Sequence, residues 1–423
     1  MVIEVSGGNE RANLADTAMG NFTGSKLTIA VGAVTEMGVH TDYSTPGASL
    51  LITAPGGVSS GDQSLNSGFG VVSADIQGAN GYNTLSGKDG DYAYQNIGTS
   101  YSGPMVGGAA ALMLEANPKL GFRDVSTILA MTAKKVDAAN SSWLGNKSSN
   151  WNLGGMHFSS DYGYGLLDVS AAVRLAESWP LASGTIANWS SAQGTSNLTS
   201  GIIPDNSATG KTVTATVSNA VSIERMEFDL NLTATNPSQL SATITSPSGT
   251  TVTLFDRPLT RDLKDGAPDM STTETAWPST FTIGSTAFLG ESSVGTWTLK
   301  LTDKVTGVEA TYNSLTVRAW GSAITDNSHY VFTNEFSGTG LVLTDAGGVD
   351  TLNASALETA VILDLGAGQK STVGNGIFNL AQVSVLENAI GGLGNDTLLG
   401  GAGTDSLDGG DGNDSLLGDA GQD

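Results

Sequence analysis

The chain has 423 residues, and its 41 Asp and Glu outnumber its 18 Lys and Arg, which gives a formal net charge of -23 at pH 7. Such a surface repels phosphate backbones and anionic membrane faces, so it disfavours nucleic acid as a partner, whereas abundant carboxylates suit calcium, a hard cation that binds oxygen ligands. There is no cysteine, which excludes a disulfide framework and a thiolate metal site. The length predicts two or three compact units.

The first 177 residues alternate strand-like and helix-like segments, which predicts an α/β layer structure. The longest apolar run, MVGGAAALML from Met105, is about half of the roughly 20 residues that a membrane-spanning helix requires, so it predicts a buried helix and no membrane insertion. The start, MVIEVSGGNERANL, lacks the features of a signal peptide. The strand-like segments are 27–34 and 49–54, and the helix-like ones are 104–116, 123–133 and 168–177.

The amino-acid composition and the hydrophobic pattern change after residue 177. Residues 184–321 are rich in Thr, Ser and Val with period-two alternation, as in GTWTLKLTDK, which predicts an all-β sandwich. Residues 323–390 are β-prone and rich in Gly and Asn, which predicts a β-rich connecting region. Residues 391–423 form a repeat array.

The repeat array reads GGLGNDTLL, GGAGTDSLD, GGDGNDSLL and GDAGQD, with a nine-residue period. This is the nonapeptide pattern of RTX proteins, and it predicts a β-roll whose Asp carboxylates and turn carbonyls bind Ca²⁺. A flexible Gly/Asp linker is the alternative, but the strict register and the recurring Leu disfavour it. The predicted ligands are Asp396, Asp405, Asp414 and Asp423, and the predicted core residues are Leu398, Leu407 and Leu416. Because the carboxylates repel one another, we expect the array to be unfolded at low calcium.

Ser100, in the run GTSYSGP, lies between Gly98 and the helix-like segment that begins at Pro104. A hydroxyl at the start of a helix meets free backbone N–H groups and the positive end of the helix dipole, which can stabilise an oxyanion. Taken alone, the pattern favours a serine that only caps the helix, because Ser is a common capping residue.

The motifs around Ser100 resemble, in order, the second half of a subtilisin-like serine peptidase domain. They are VSGGNERAN, IAVGAV, YSTPGASL, APGG, GTSYSGPMVGGAAALML, LEANPKLGFRD and DYGYGLLDVSAAVRLAESW, and LEANPKLGFRD is similar to the kexin branch. The resemblance implies that Ser100 is the nucleophile and that the Asn9 side chain and the Ser100 backbone N–H stabilise the oxyanion. By itself, Asn9 would be a turn asparagine after Gly7 and Gly8. The implied substrate is a protein or peptide.

The general base of such a site is not evident. In subtilisins the catalytic Asp and His precede the oxyanion asparagine, but His40, His157 and His329 all follow Asn9 and none lies in an HGT motif. The expectation is therefore a truncated, inactive fragment, cut at both ends, of which residues 1–177 are the later part of the peptidase domain.

Residues 184–321 resemble the P domain, or Homo B domain, of kexin-like proteases. The resemblance rests on IPD at Ile203, ATITSPSGTTVTLF, GTWTLKLTD and NSLTVRAWG, although Ser238-Gln239-Leu240 replaces the usual acidic Asp-Leu pair, which leaves any role of that Asp in doubt. It implies a stabilising module without catalytic groups.

The sequence thus predicts a partial subtilisin-like α/β sheet, a β-sandwich and a β-roll. The first functional hypothesis is a secreted, calcium-dependent serine endopeptidase, exported by a bacterial one-step machine. The alternative is a non-catalytic secreted calcium-binding or adhesion protein that retains a protease remnant. An Asp and an HGT-type His upstream of Met1 in the parent DNA would favour the first.

Overall fold

The computed structural model describes residues 1–58, 70–84, 90–179, 184–198, 200–258, 276–277 and 279–421. The predicted ligand Asp423 lies outside these residues. No helix in the described ranges is both long enough and apolar enough to cross a membrane.

The amino-terminal region contains a parallel sheet in the order β1-β2-β3, with helices packed against it. Strands β2 and β3 are continuous apolar runs because both faces of the sheet are covered, as is usual for parallel strands. The elements are β1 Glu4–Ser6, β2 Ile29–Val34, β3 Leu50–Pro55, β4 Val71–Ala74, β5 Tyr92–Asn96, α1 Thr99–Ala116, α2 Phe122–Thr132, β6 Leu144–Gly145, β7 His157–Phe158 and α3 Val169–Glu177.

Helix α1 begins at Thr99, five residues before the predicted start at Pro104, so Ser100 lies inside its first turn. A proline was expected to open the helix because its missing N–H costs nothing there. At this position the proline lacks the N–H that would bond to the Ser100 carbonyl and its ring crowds that carbonyl, but the turn before it does not use that N–H.

The second region is a sandwich of two antiparallel sheets, as the period-two pattern predicted. One sheet has the order β10-β15-β12-β13 and the other β14-β11-β16-β8, with β9 beside β16. Phe228 of β11 and Trp297 of β15 lie 6.0 Å apart between ring centroids, so the sheets pack face to face. The strands are β8 Ser190–Thr195, β9 Gly201–Ile203, β10 Lys211–Val217, β11 Val221–Thr233, β12 Leu240–Thr245, β13 Thr251–Asp256, β14 Thr280–Ser285, β15 Gly295–Asp303 and β16 Ala310–Ala323.

The first two regions share one hydrophobic core, which extends from Ala18 to Val331. The Tyr164 hydroxyl donates to the Thr286 carbonyl at 2.6 Å, and the Thr286 N–H donates to the Ala48 carbonyl at 2.9 Å. The expected compact units therefore do not each have a separate core, because the sandwich covers apolar surface of the α/β region.

The carboxy-terminal region has a second core and two further sheets, in the orders β17-β19-β23-β25 and β18-β22-β21-β20-β24-β26. Successive repeats alternate between the two sheets, and each strand pairs in parallel with the one 18 residues later, as Asn388 with Ser406 and Thr397 with Ser415. The strands are β17 His329–Val331, β18 Leu341–Leu343, β19 Thr351–Asn353, β20 Val361–Asp364, β21 Lys370–Val373, β22 Gly376–Leu380, β23 Asn388–Ile390, β24 Thr397–Leu399, β25 Ser406–Asp408 and β26 Ser415–Leu417.

The predicted core leucines of the repeats are not equally buried. Leu398 is fully buried and Leu407 packs partly against the second core, but Leu416 is 49% exposed. Leu416 pairs in parallel with Leu398 and so projects to the same face as that buried residue, but it lies on the edge strand β26 and is half exposed.

Candidate functional site

Ser100 is the second residue of α1, and it is exposed to solvent. Its backbone N–H is one of the first-turn groups that have no acceptor within a helix. Gly98, which precedes the helix, has φ +127°, and a Cβ there would lie 3.3 Å from Asn9 Nδ2. The turn before Ser100 thus requires glycine both for its backbone conformation and for its contact with Asn9.

The structure brings Asn9 to the start of α1. Asn9 Oδ1 accepts hydrogen bonds from the Thr99 N–H and the Thr99 hydroxyl, each at 3.0 Å. The Thr99 side chain is fully buried and accepts the Gly8 N–H at 3.2 Å. These bonds fix the Asn9 amide with its NH₂ group beside Gly98. The Asn9 NH₂ group and the Ser100 N–H are therefore two hydrogen-bond donors near the same helix end.

Tyr43 joins the three segments of this site, and its contribution was missed by the sequence analysis. Its hydroxyl accepts the Gly98 N–H at 3.0 Å and bonds to the Gly56 and Gly57 carbonyls. Its own carbonyl accepts the Arg11 N–H at 3.2 Å. Burial raises the pKa of the Tyr43 hydroxyl, so it stays protonated at neutral pH. The motif YSTPG was the available signal, but it does not reveal these distant partners.

The three histidines are all engaged away from Ser100. His40 packs against Tyr162, with ring centroids 5.8 Å apart. His157 lies between Trp143 and Trp151 and bonds to the Tyr164 carbonyl at 2.6 Å. 

His329 is buried against Trp179, and its Nε2 lies 3.1 Å from Asn353 Nδ2. Burial lowers the pKa of His329 to about 4, so it is neutral at physiological pH. None of the three histidines is thus placed by its contacts to take a proton from Ser100.

The predicted calcium ligands lie in register, each one residue before its strand: Asp396 before β24, Asp405 before β25 and Asp414 before β26. Asp396 is 1% exposed, and its two oxygens accept the Val361 N–H at 2.8 Å and the Gly392 N–H at 2.6 Å. Asp405 accepts the Gly401 N–H at 2.7 Å in the same way. Asp414 accepts the Asp396 N–H at 2.8 Å and so links two stacked turns.

These turns fit a cation in charge and in ligand chemistry. Asp396 forms no ion pair with a Lys, Arg or His of the described ranges, so its buried negative charge is not compensated there. No group of three or more Asp, Glu or His side chains within the described chain is arranged to hold a metal ion. A calcium site in the turns would therefore need backbone carbonyls as well as carboxylates, which is common for this ion.

A second acidic feature, missed from the sequence, lies before the repeats. Asp350 is fully buried, and its Oδ2 has no hydrogen-bond partner among the described groups. Burial, followed by the charges of Asp345 and Glu387, raises the pKa of Asp350 to about 6. One oxygen of Asp350 is thus buried without a hydrogen-bond partner, but the three carboxylates are not arranged as a metal-binding group. The run DAGGVD, which shares Gly-Gly and a following Asp with the repeats, was the signal for it.

Three known protein families match successive parts of the chain, in the order of its three structural regions. Residues 1–165 match the subtilase family, residues 223–320 match the proprotein convertase P-domain, and residues 299–423 match the serralysin C terminal of peptidase family M10.

Relatives of known function are proteases. The chain is 28% identical to the Aeromonas extracellular serine protease of Aeromonas sobria over 70% of this chain and 51% of that protein. It is 28% identical to furin-like protease 2 of Drosophila melanogaster over 66% of this chain and 15% of that protein. It is 30% identical to neuroendocrine convertase 2 of Rattus norvegicus over 50% of this chain and 31% of that protein. The chain thus spans about half the length of the Aeromonas relative, and less of the other two.

A solved structure shows the same fold. The Aeromonas sobria serine protease in complex with a chaperone superposes with a TM-score of 0.57 at 24% identity, covering 72% of this chain and 58% of that one. Residues 1–165 are thus similar to the subtilase family, and residues 223–320 are similar to the proprotein convertase P-domain that follows them in chain order.

Proposed function

We propose that Ser100 is the nucleophile of a serine endopeptidase site and that Asn9 and the Ser100 N–H form its oxyanion hole. The observation that carries the proposal is the pair of hydrogen bonds from Thr99 to Asn9 Oδ1, at 3.0 Å each, which holds the Asn9 amide at the start of the helix that carries Ser100. Ser100 is exposed, so a peptide carbonyl can approach it.

In this mechanism the Ser100 hydroxyl oxygen attacks the carbonyl carbon of a peptide bond, and the carbonyl oxygen becomes an oxyanion. The Asn9 NH₂ and the Ser100 N–H donate hydrogen bonds to that oxygen. The amine leaves with a proton, and water then releases the acyl group from Ser100. The step needs a base for the Ser100 proton, and His40, His157 and His329 are each held elsewhere.

The proposal is tested with a fluorophosphonate probe and a peptidase assay on two samples. For the 423-residue chain by itself we expect no hydrolysis and no labelling of Ser100, because no histidine serves as its base. For the product of the complete reading frame that encodes this chain we expect labelling at Ser100, which Ser100→Ala abolishes. Labelling of Ser100 in the isolated chain would contradict the conclusion that none of the three histidines serves as its base.

We further propose that the acidic turns bind Ca²⁺ and that the array is a β-roll of RTX repeats. Asp396, Asp405 and Asp414, together with turn carbonyls, would hold the ions in the repeats. The uncompensated buried charge of Asp396 supports this. Titration of the calcium-free chain with CaCl₂, followed by circular dichroism, should show a gain of β signal. An unchanged spectrum would refute calcium-linked folding.

The alternative is a non-catalytic secreted calcium-binding protein. It would be supported if the product of the complete reading frame bound calcium but neither cleaved peptides nor labelled at Ser100. We propose secretion in either case, since millimolar extracellular calcium would order the array, and the export route suggested by the repeats is a one-step bacterial machine. Detection of the protein in the culture medium of its source organism tests this.

A further inference from the structure

One sheet runs without a break from the repeats to the peptidase segment. Strand β25 of the repeats pairs with β23, which pairs with β19, which pairs with β17, all in parallel. Strand β17 then bonds to residues before β7. The Val331 N–H donates to the Asn150 carbonyl at 2.9 Å, and the Asn152 N–H donates to the Val331 carbonyl at 2.8 Å. Backbone hydrogen bonds therefore connect the acidic turns to the peptidase segment.

Side chains reinforce this junction at two separate places. Asn152 Nδ2 donates to the Thr333 hydroxyl at 2.9 Å, and Asn152 Oδ1 accepts the Thr333 N–H at 2.9 Å. On helix α3, the Arg174 guanidinium donates to the Ser355 carbonyl at 3.0 Å and to the Ala356 carbonyl at 2.9 Å. Both sets of hydrogen bonds join the peptidase segment to loops that adjoin β17 and β19.

A contact between His157 and Glu335 closes the same junction. His157 Nδ1 lies 3.2 Å from Glu335 Oε2, and Glu335 Oε1 accepts the Lys135 N–H at 2.6 Å. Burial would raise the pKa of Glu335, but its bonds from His157 and the Lys135 backbone more than offset burial and lower it. Glu335 is therefore ionised at neutral pH.

From the junction, packed groups continue toward Ser100. The Trp151 indole, which is buried, donates to the Met131 carbonyl at the end of α2 at 2.8 Å. Helix α2 packs against β3, and Pro55 at the end of β3 accepts the Ser102 hydroxyl of α1 at 3.1 Å. Each contact is short, so the two regions cannot separate without breaking several of them.

We propose that the repeats and the peptidase segment form one cooperative unit, so that calcium bound by the repeats stabilises the peptidase segment through residues 150–152 and 174. The inference rests on the proposed calcium binding. A ligand that binds only the folded state slows hydrogen exchange through every opening motion that destroys its binding site. For one site, exchange slows by about 100-fold when free calcium is about 100 times the dissociation constant. The contacts alone do not establish such coupling, which needs a direct measurement.

Hydrogen exchange of the full chain, followed by mass spectrometry in CaCl₂ and in EGTA, provides that measurement. We expect calcium to slow exchange in residues 388–417 and also in 122–132 and 150–158, with a slowing that approaches 100-fold in the segments that open together. MgCl₂ at the same concentration is the ion control, because Mg²⁺ binds poorly to flexible all-oxygen protein sites.

Two variants separate coupling from calcium binding. Asn152→Ala and Arg174→Ala each break one side of the junction, and each should reduce the slowing in 122–132 and 150–158 while leaving it unchanged in 388–417. Lys304→Ala is the matched control, since it removes a 2.8 Å ion pair with Asp256 within the sandwich and should preserve the slowing everywhere.

The outcomes distinguish the two proposals. Calcium-induced slowing confined to 388–417 in the unmodified chain would overturn the coupling and leave calcium binding intact. Full slowing in 150–158 in both junction variants would show that the coupling does not pass through these contacts, and would overturn the proposal as stated. No slowing in 388–417 would overturn calcium binding itself, and the coupling with it.

Discussion

Lowering the pH should weaken the fold through His329. This side chain is 8% exposed, packs with its ring 5.0 Å from that of Trp179, and lies within hydrogen-bonding distance of the Asn353 amide. Burial lowers its folded-state pKa to about 4, against about 6.5 for an unfolded histidine. The unfolded chain therefore binds the proton more tightly than the folded chain does.

The sign and the size of the effect follow from this difference. For a histidine whose folded pKa is lowered, the stabilisation is complete above the unfolded pKa and is lost as the pH falls toward the folded pKa. Between pH 7.5 and pH 5 the loss is about 2 kcal/mol, and it approaches about 3 kcal/mol near pH 4.

Urea unfolding in EGTA at pH 7.5, 6 and 5 measures this loss. His329→Gln keeps an acceptor for Asn353 but cannot be protonated, so it should lose about 2 kcal/mol less than the unmodified chain between pH 7.5 and pH 5. Asn353→Ala is the matched control: it removes the same contact but keeps the histidine, and should retain the pH-dependent loss. Equal losses in the unmodified chain and His329→Gln would refute the buried, neutral histidine.

Three further substitutions test other parts of the structure. Asn9→Ala should lower kcat by about 10²- to 10³-fold in the product of the complete reading frame with KM nearly unchanged, and an unchanged kcat would exclude Asn9 as an oxyanion donor. Trp297→Ala should lower the free energy of unfolding by about 3–5 kcal/mol in urea unfolding, because the indole is fully buried against Phe228; a loss below about 1 kcal/mol would contradict that packing. Arg123→Ala should cost about 3 kcal/mol in the same assay, because it leaves the carboxylate of Glu224 unpaired at the contact of the first two regions. Adding Glu224→Ala should recover part of that loss, and no recovery would argue against the pair.

The strands were predicted well from the sequence where their hydrophobic pattern depends only on neighbouring residues. Strands β2 and β3 lie within two residues of their expected bounds, because an uninterrupted apolar run is typical of a strand covered on both faces. Alternation in the second region likewise predicted strands with one buried face, as β10 shows. The start of α1 was misplaced because Pro104 is a strong local signal, and the turn before it depends on distant partners such as Asn9.

The features that the sequence did not reveal depend on long-range contacts. The shared core includes bonds between distant segments, such as the one from buried Arg225 to the Thr28 carbonyl at 2.9 Å, and no local period encodes such a pair. Ser100 and Asn9 were predicted through the order of motifs, but the residues that hold these segments together, Thr99 and Tyr43, act through side-chain bonds that only the fold brings together. The buried, unpartnered oxygen of Asp350 was missed because this residue lies outside the strict nine-residue register.

The central claim is that Ser100 is a serine-peptidase nucleophile held beside the Asn9 amide. The most direct measurement is mass-spectrometric mapping of the fluorophosphonate adduct on the product of the complete reading frame. We predict one adduct on the peptide that contains Ser100, much slower to form in Asn9→Ala and absent from Ser100→Ala. An adduct on another serine, or none under conditions in which the protein cleaves peptides, would contradict the claim.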